Sequence, residues 1–229
     1  MSNVLKHKVT RAVCGITLLL SGTSSSNLYA DDNSTLCANT FETFLVREFY
    51  RLHQPGAPAP IASRELAIVE AKVLSGLTEK EALGTKATPA RLDKILKSLK
   101  GWGADNKVGF VLTMDGYHAW VFPTEVPVKS RSSRKGFVEV SAGNGKSAIG
   151  QINPDRVSTI YVQDIPARDG TRIRGLNFYD LQGDLIFGLY GTEAGKPVNN
   201  DIVVGFEKTW DLIEEMPRAC TLTTLEGDD

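Results

Sequence analysis

The chain has 229 residues, with 26 Lys+Arg against 27 Asp+Glu and a formal net charge of −1. That balance provides no general field for nucleic acid or anionic lipid, and the length suits one ordinary domain or a core with a small appendage. Of the 3 cysteines, Cys14, Cys37 and Cys220, no two have the close spacing of a zinc or thiol-redox motif.

The first thirty residues have the order of a secretory signal. Lys6, Lys8 and Arg11 make a basic end without acids. An apolar centre over residues 12–20 and a small polar run follow, and Leu28-Tyr29-Ala30 precedes Asp31. The apolar centre is shorter than the roughly 20 residues of a spanning helix. Arg11-Ala12-Val13 ahead of Cys14 is not a lipoprotein cleavage box. Cleavage after Ala30 leaves 199 residues, with 23 bases against 27 acids and a net charge of −4. The expectation is a periplasmic or secreted protein, with no membrane insertion after signal cleavage and no nucleic-acid partner. Cys37 and Cys220 are then the only cysteines, near opposite ends of the mature chain. In an oxidising compartment they read as one disulfide, which by the chain-entropy model contributes roughly 4–5 kcal/mol. Two unrelated thiols are the alternative.

Residues 31–100 read as a helical segment and residues 101–229 as an antiparallel-sheet domain with a C-terminal helix. Thr40 can cap a helix whose Phe41, Phe44, Leu45, Phe49 and Leu52 share a face. The proline-rich stretch over residues 55–60 breaks it. Ser63 is placed to cap a second helix carrying Leu66, Val69 and Val73 and ending near Gly76. Thr78-Glu79-Lys80-Glu81 has the form of a capping box and predicts a helix of two turns. Thr88-Pro89 opens a fourth, with Leu92, Ile95, Leu96 and Leu99 inward and Gly101 as its stop.

After Trp102 the rhythm turns to strands. Alternation over residues 108–114, then Asp115-Gly116, predicts a hairpin returning through residues 117–122. A basic loop with Lys129, Arg131, Arg134 and Lys135 follows. Further strands are predicted over residues 137–141, 147–152, 157–164, 171–180 and 184–190, with glycine-bearing turns between them. Residues 200–216 read as a helix with Phe206, Trp210 and Ile213 inward. The fold class is α+β: N-terminal helices, a large antiparallel sheet and a C-terminal helix.

Gly145-Lys146-Ser147 is not a phosphate loop, because position 140 is Val140 and a strand follows instead of a helix. His118 sits on a strand just after a tight turn, where a neutral imidazole can border a groove and ligate iron. An ordinary polar-face histidine is the bland alternative. His53 is the only other mature histidine. The basic loop suits carboxylates such as porphyrin propionates, as do Arg172 and Arg174 on one strand face. For these too, solvated surface is the alternative.

Several stretches carry a resemblance by their order and spacing. Leu99-Lys100-Gly101-Trp102-Gly103 leads into a hairpin strand, Gly136-Phe137 opens another, and Ala148-Ile149-Gly150-Gln151-Ile152 and Ile160-Tyr161-Val162 follow. The longest is Leu176-Asn177-Phe178-Tyr179-Asp180-Leu181-Gln182-Gly183-Asp184-Leu185-Ile186-Phe187-Gly188-Leu189-Tyr190. In these stretches residues 92–215 resemble the HemS/ChuX-type haem-utilisation proteins, particularly the short single-repeat carriers. The resemblance implies an α+β fold with a large antiparallel sheet, often paired as a homodimer, that accepts haem in a cleft. The family's ligand histidines correspond to Leu112 and Gln151, and a tyrosine sometimes used corresponds to Phe137. The expectation is therefore an exported, non-enzymatic protein that binds haem or a related flat hydrophobic anion. Strand-face aromatics would line its pocket and the basic loop would close it. His118 is the expected metal ligand, with Tyr117, Tyr179, Gln151, Arg131 and Arg134 as the other ligand-binding candidates. A haem-modifying enzyme and a ligand-free interaction scaffold remain as alternatives.

Overall fold

The computed structural model describes residues 36–114, 118–132, 136–143, 148–191 and 198–220. The first helix, α1 (Thr40–Glu48), is capped by Asn39, not Thr40. Asn39 Oδ1 accepts from the Glu42 N–H at 2.9 Å, and Glu42 Oε2 accepts from the Asn39 N–H at 2.8 Å. The chain then widens into a π-type turn, Phe49–His53. One residue inserted into the helical rhythm rotates the faces. Val46, Phe49 and Tyr50 are buried as a result, while Phe41, Phe44 and Leu52 of the expected apolar face are exposed.

The helix expected from Ser63 to Gly76 is two helices, α2 (Ala59–Leu66) and α3 (Glu70–Ser75). Ala67, in the left-handed region at φ 53°, ends the first. The predicted capping-box contact does form at residues 78–81, where Glu81 Oε2 accepts from the Thr78 N–H at 3.2 Å. It closes a turn instead of a helix. The next residues are strand β1 (Ala82–Lys86), which pairs antiparallel with a strand almost eighty positions away. Helix α4 (Pro89–Ser98) is as expected, with Thr88 Oγ1 accepting from the Arg91 N–H at 3.2 Å. A 3₁₀ turn, Leu99–Trp102, ends it.

Eight more strands follow: β2 (Lys107–Met114), β3 (His118–Glu125), β4 (Val128–Ser132), β5 (Val138–Ala142), β6 (Ala148–Ile152), β7 (Thr159–Pro166), β8 (Arg172–Tyr179) and β9 (Leu185–Tyr190). The predicted turns at residues 115–116 and 143–145 fall wholly or partly outside the described residues. Helix α5 (Asn200–Glu214) closes the chain.

The meander is divided in two. One antiparallel sheet has six strands in the order β1-β7-β8-β9-β2-β3, and a second has β4-β5-β6. The two hairpins, β2-β3 and β8-β9, are neighbours in the larger sheet as the sequence implies. Its two faces carry separate cores. On one, Leu176, Phe178, Ile160 and Val162 meet Leu92, Ile95 and Leu96 of α4 and Phe206 of α5. On the other, Tyr161, Tyr179 and Tyr190 meet Val46, Phe49 and Leu74 from the N-terminal helices.

Helix α5 crosses the 3₁₀ turn at Gly205, where an added Cβ would lie 2.4 Å from the Gly101 carbonyl oxygen. The C-terminal segment then reaches the outer edge of β1, where the Ala219 N–H donates to the Gly84 carbonyl at 2.9 Å. There Cys220 is joined to Cys37, 183 positions away, by a disulfide with Cα atoms 5.7 Å apart. No described helix is long and apolar enough to cross a membrane.

Candidate functional site

The two sheets do not stack flat against each other. Between them opens a cavity of about 580 Å³, within the size range of small-molecule sites. The sequence builds it from four directions. Phe110 and Leu112 come from β2 and Ile186 and Phe187 from β9, on the larger sheet. Leu96 and Leu99 come from the end of α4 and its 3₁₀ turn. Phe137, Val140, Gly150, Gln151 and Ile152 come from the smaller sheet and its approach. Pro127 and the β8–β9 turn, Asp180-Leu181-Gln182, complete the rim with Asn153 and Arg156.

The floor is aromatic and flat. Phe110 stacks on Phe187 with centroids 5.5 Å apart and planes 4° from parallel. Phe187 stacks in turn on Phe178 at 4.3 Å, and Phe110 on Phe122 at 5.2 Å. Four strands thus contribute one row of stacked rings, with Phe110 and Phe187 facing the cavity. Alternation and the strand registers put those rings on one side of the sheet.

Polar groups are few, and two of them are engaged locally. Asp180 Oδ1 accepts from the N–H groups of Gln182 at 2.8 Å and Asp184 at 3.0 Å, so its carboxylate shapes the turn. Asn153 Oδ1 accepts from the Asp155 N–H at 3.1 Å. The Arg156 guanidinium makes no hydrogen bond or ion pair with any described residue, and it is the one cation in the cavity's described lining. That arrangement suits a flat apolar molecule with an anionic edge.

The expected site residues divide sharply. Leu112, Phe137 and Gln151, the three positions matched to family ligands, all line this cavity although they lie on different elements. His118 opens β3 opposite Met114, and its side chain lies outside the description, as does that of Arg131 on β4. Tyr117 and Arg134 are outside the described residues. Much of the expected basic loop is strand: Lys129 and Arg131 belong to β4, and Lys129 pairs with Asp93 of α4, pinning the smaller sheet to the larger body. Arg172 and Arg174 are both engaged by Asp164, at 2.7 and 3.4 Å. Tyr179 is completely buried in the core on the far face of the sheet, away from the cavity. Cys37 and Cys220 are joined as predicted. Leu96 and Leu99, which read from the sequence as core alone, also wall the cavity, and Arg156, at the end of the short 3₁₀ turn Pro154–Arg156, carries no periodic signal in the sequence.

Behind the sheet, the buried tyrosines form a polar layer. Tyr190 Oη donates to Asn177 Oδ1 at 2.9 Å, and Asn177 Nδ2 donates to Gln163 Oε1 at 3.0 Å. Burial raises the Tyr161, Tyr179 and Tyr190 hydroxyls above their ordinary value, so they remain neutral. Glu70 is buried too, and its carboxylate accepts from the Leu185 N–H at 2.7 Å. Burial pushes its pKa up to about 7, against the lowering effect of that hydrogen bond.

The fold of this chain is similar to that of solved haem-utilisation proteins of ChuX type. Compared with the crystal structure of ChuX, the chain gives a TM-score of 0.58 at 14% identity, covering 74% of this chain and 98% of ChuX. It is similar also to ChuS, an Escherichia coli haem oxygenase (TM-score 0.53, 14% identity), covering 76% of this chain and 50% of ChuS. For holo-PhuS, a haem-binding protein from Pseudomonas aeruginosa, the TM-score is 0.52 at 13% identity, covering 77% of this chain and 46% of PhuS. The sequence matches no family model and no curated protein. The chain therefore has the ChuX-type fold, and it spans about half the length of ChuS and PhuS.

Proposed function

We propose that this chain is an exported, non-enzymatic carrier of haem or a closely related flat apolar anion, held in the cavity between its two sheets. The observation that carries the reading is the convergence on one cavity of Leu112, Phe137 and Gln151 with a floor of stacked phenylalanines and Arg156, which pairs with no described residue. The macrocycle would lie against Phe110 and Phe187, with a carboxylate turned to Arg156. Apolar burial supplies most of the binding energy in such a site. The fold shared with ChuX and PhuS, haem-binding proteins, supports the choice of ligand.

Carriage is favoured over turnover because the described lining offers no imidazole, thiolate, phenolate or thioether to hold iron. The disulfide supports an oxidising compartment and hence the secretory reading of residues 1–30, which lie outside the described residues. A homodimer formed along β3 belongs to the same proposal. This edge strand exposes Trp120, Val121 and Phe122 in succession, an edge that a soluble monomer would ordinarily blunt.

The test is an absorption titration with ferric haem of the purified protein and of Gln151→Trp. Gln151 is exposed within the cavity, so a bulky ring there fills space without disturbing the core. Saturable one-to-one binding by the wild type, weakened at least tenfold in Gln151→Trp, is expected. Absence of a saturable band change in the wild type would defeat the carrier reading.

A further inference from the structure

The described lining of the cavity suits the macrocycle and not the metal. Its floor carries two phenylalanine rings, Phe110 and Phe187, stacked with planes 4° from parallel, and its walls are aliphatic side chains from α4 and the smaller sheet. Yet none of its described lining residues is a histidine, cysteine, tyrosine or methionine, the side chains that bind haem iron axially. The uncharged polar side chains of the lining, Gln151, Asn153 and Gln182, are amides, weak donors to iron. The tyrosines of the larger sheet that could have supplied phenolate, Tyr161, Tyr179 and Tyr190, are buried in the opposite core, and burial holds their hydroxyls protonated.

From this disagreement we infer that the cavity recognises the porphyrin and not its metal: its ligand class is the planar tetrapyrrole dicarboxylate, metal-free or metallated. The inference rests on the carrier reading and sharpens its substrate class. Burial of the ring against Phe110 and Phe187 and the charge-assisted contact from Arg156 are the same for both forms. A coordinate bond to iron would add affinity for haem alone. The carboxylate of the described lining, Asp180, is held in its own turn by the Gln182 and Asp184 N–H groups, and the other described groups in the cavity supply no strong ligand. Such a protein would accept tetrapyrroles before iron insertion or after iron removal as readily as haem itself.

Parallel titrations with protoporphyrin IX, followed by its fluorescence, and with ferric haem, followed by absorption, test this. The two dissociation constants should agree within about threefold, and Arg156→Glu should weaken both by a similar factor that shrinks with added salt. Leu112→His, which puts an imidazole on the cavity wall, should favour haem over protoporphyrin by tenfold or more, showing that the site discriminates once a ligand is present. His118→Ala should leave the ratio unchanged. Haem binding tenfold or more tighter than protoporphyrin in the wild type would overturn the inference while leaving the carrier reading intact. So would a haem-specific loss in His118→Ala. Binding of neither would overturn both.

Discussion

At Glu70 a buried carboxylate accepts the Leu185 N–H, while Asp184 and Asp180 raise its pKa and Arg64 lowers it. The folded-state value stands near 7 against an ordinary 4.5, so the native state binds this proton more tightly than the unfolded chain does. By linkage the stability from this group is fully present below about 4.5 and is lost as pH rises to about 7. The span is worth on the order of 3 kcal/mol. Glu70→Gln keeps an acceptor for Leu185 and removes the titration. Its denaturation midpoint should vary less than the wild type's between pH 5 and pH 7, roughly the interval over which Glu70 titrates. Urea melts across that range check this, and a wild-type slope retained in the variant would contradict it. At this scale the sequence was informative where motifs carried position. The resemblance to HemS/ChuX-type proteins pointed to Leu112, Phe137 and Gln151, and all three line the cavity. Arg156 was not legible, since its place depends on how a non-periodic connection crosses the rim. Tyr179, named as an oxygen donor, lies in the core on the opposite face from the cavity, because a strand's sequence gives alternation without saying which face meets which core.

Among the elements, β1 shows where local reading stops. Its residues, Ala82-Leu83-Gly84-Thr85-Lys86, have little strand propensity, and the capping-type turn before them points to a helix. Pairing with β7 decides otherwise, and Gly84 lets the Tyr161 ring cross it where a Cβ would lie only 2.2 Å away. Such non-local pairing is invisible in a short window. Helix α4 was legible because Thr88, Pro89 and its apolar stripe agree with one another. Its packing depends on α5 crossing at Gly205. Gly205→Ala places a methyl against the backbone of Gly101 and Trp102, and overpacking of this kind costs about 1–3 kcal/mol. The displaced turn carries Leu99, a wall of the cavity, so affinity for haem should fall together with the melting temperature. A variant that lost stability with affinity unchanged would show that the turn does not shape the site.

For the molecule as a whole, one sheet does two jobs. Its outer face is sealed by the N-terminal helices and fastened by the Cys37–Cys220 disulfide, while its inner face is shared between core and cavity. The exposed edge of β3 is what this arrangement leaves uncovered. Val121→Lys puts a charge on that edge, and light scattering should show a wild-type dimer and a monomeric variant, with the near-ultraviolet spectrum retained. A wild-type monomer at all concentrations would remove the pairing. The fold class could be read from the sequence because alternating strands and glycine turns are local. The division into two sheets could not, since it rests on which strands pair across the chain, as β1 with β7 and β2 with β9. Hydrogen exchange with and without haem tests the central claim most directly. Protection should rise in the segments holding Leu96 and Leu99, Phe110 and Leu112, Val140, Gln151 to Arg156 and Asp180 to Phe187, and stay unchanged around Tyr50 and in α5 beyond Phe206. Protection confined to other parts of the chain, with these cavity segments unaffected, would contradict the account.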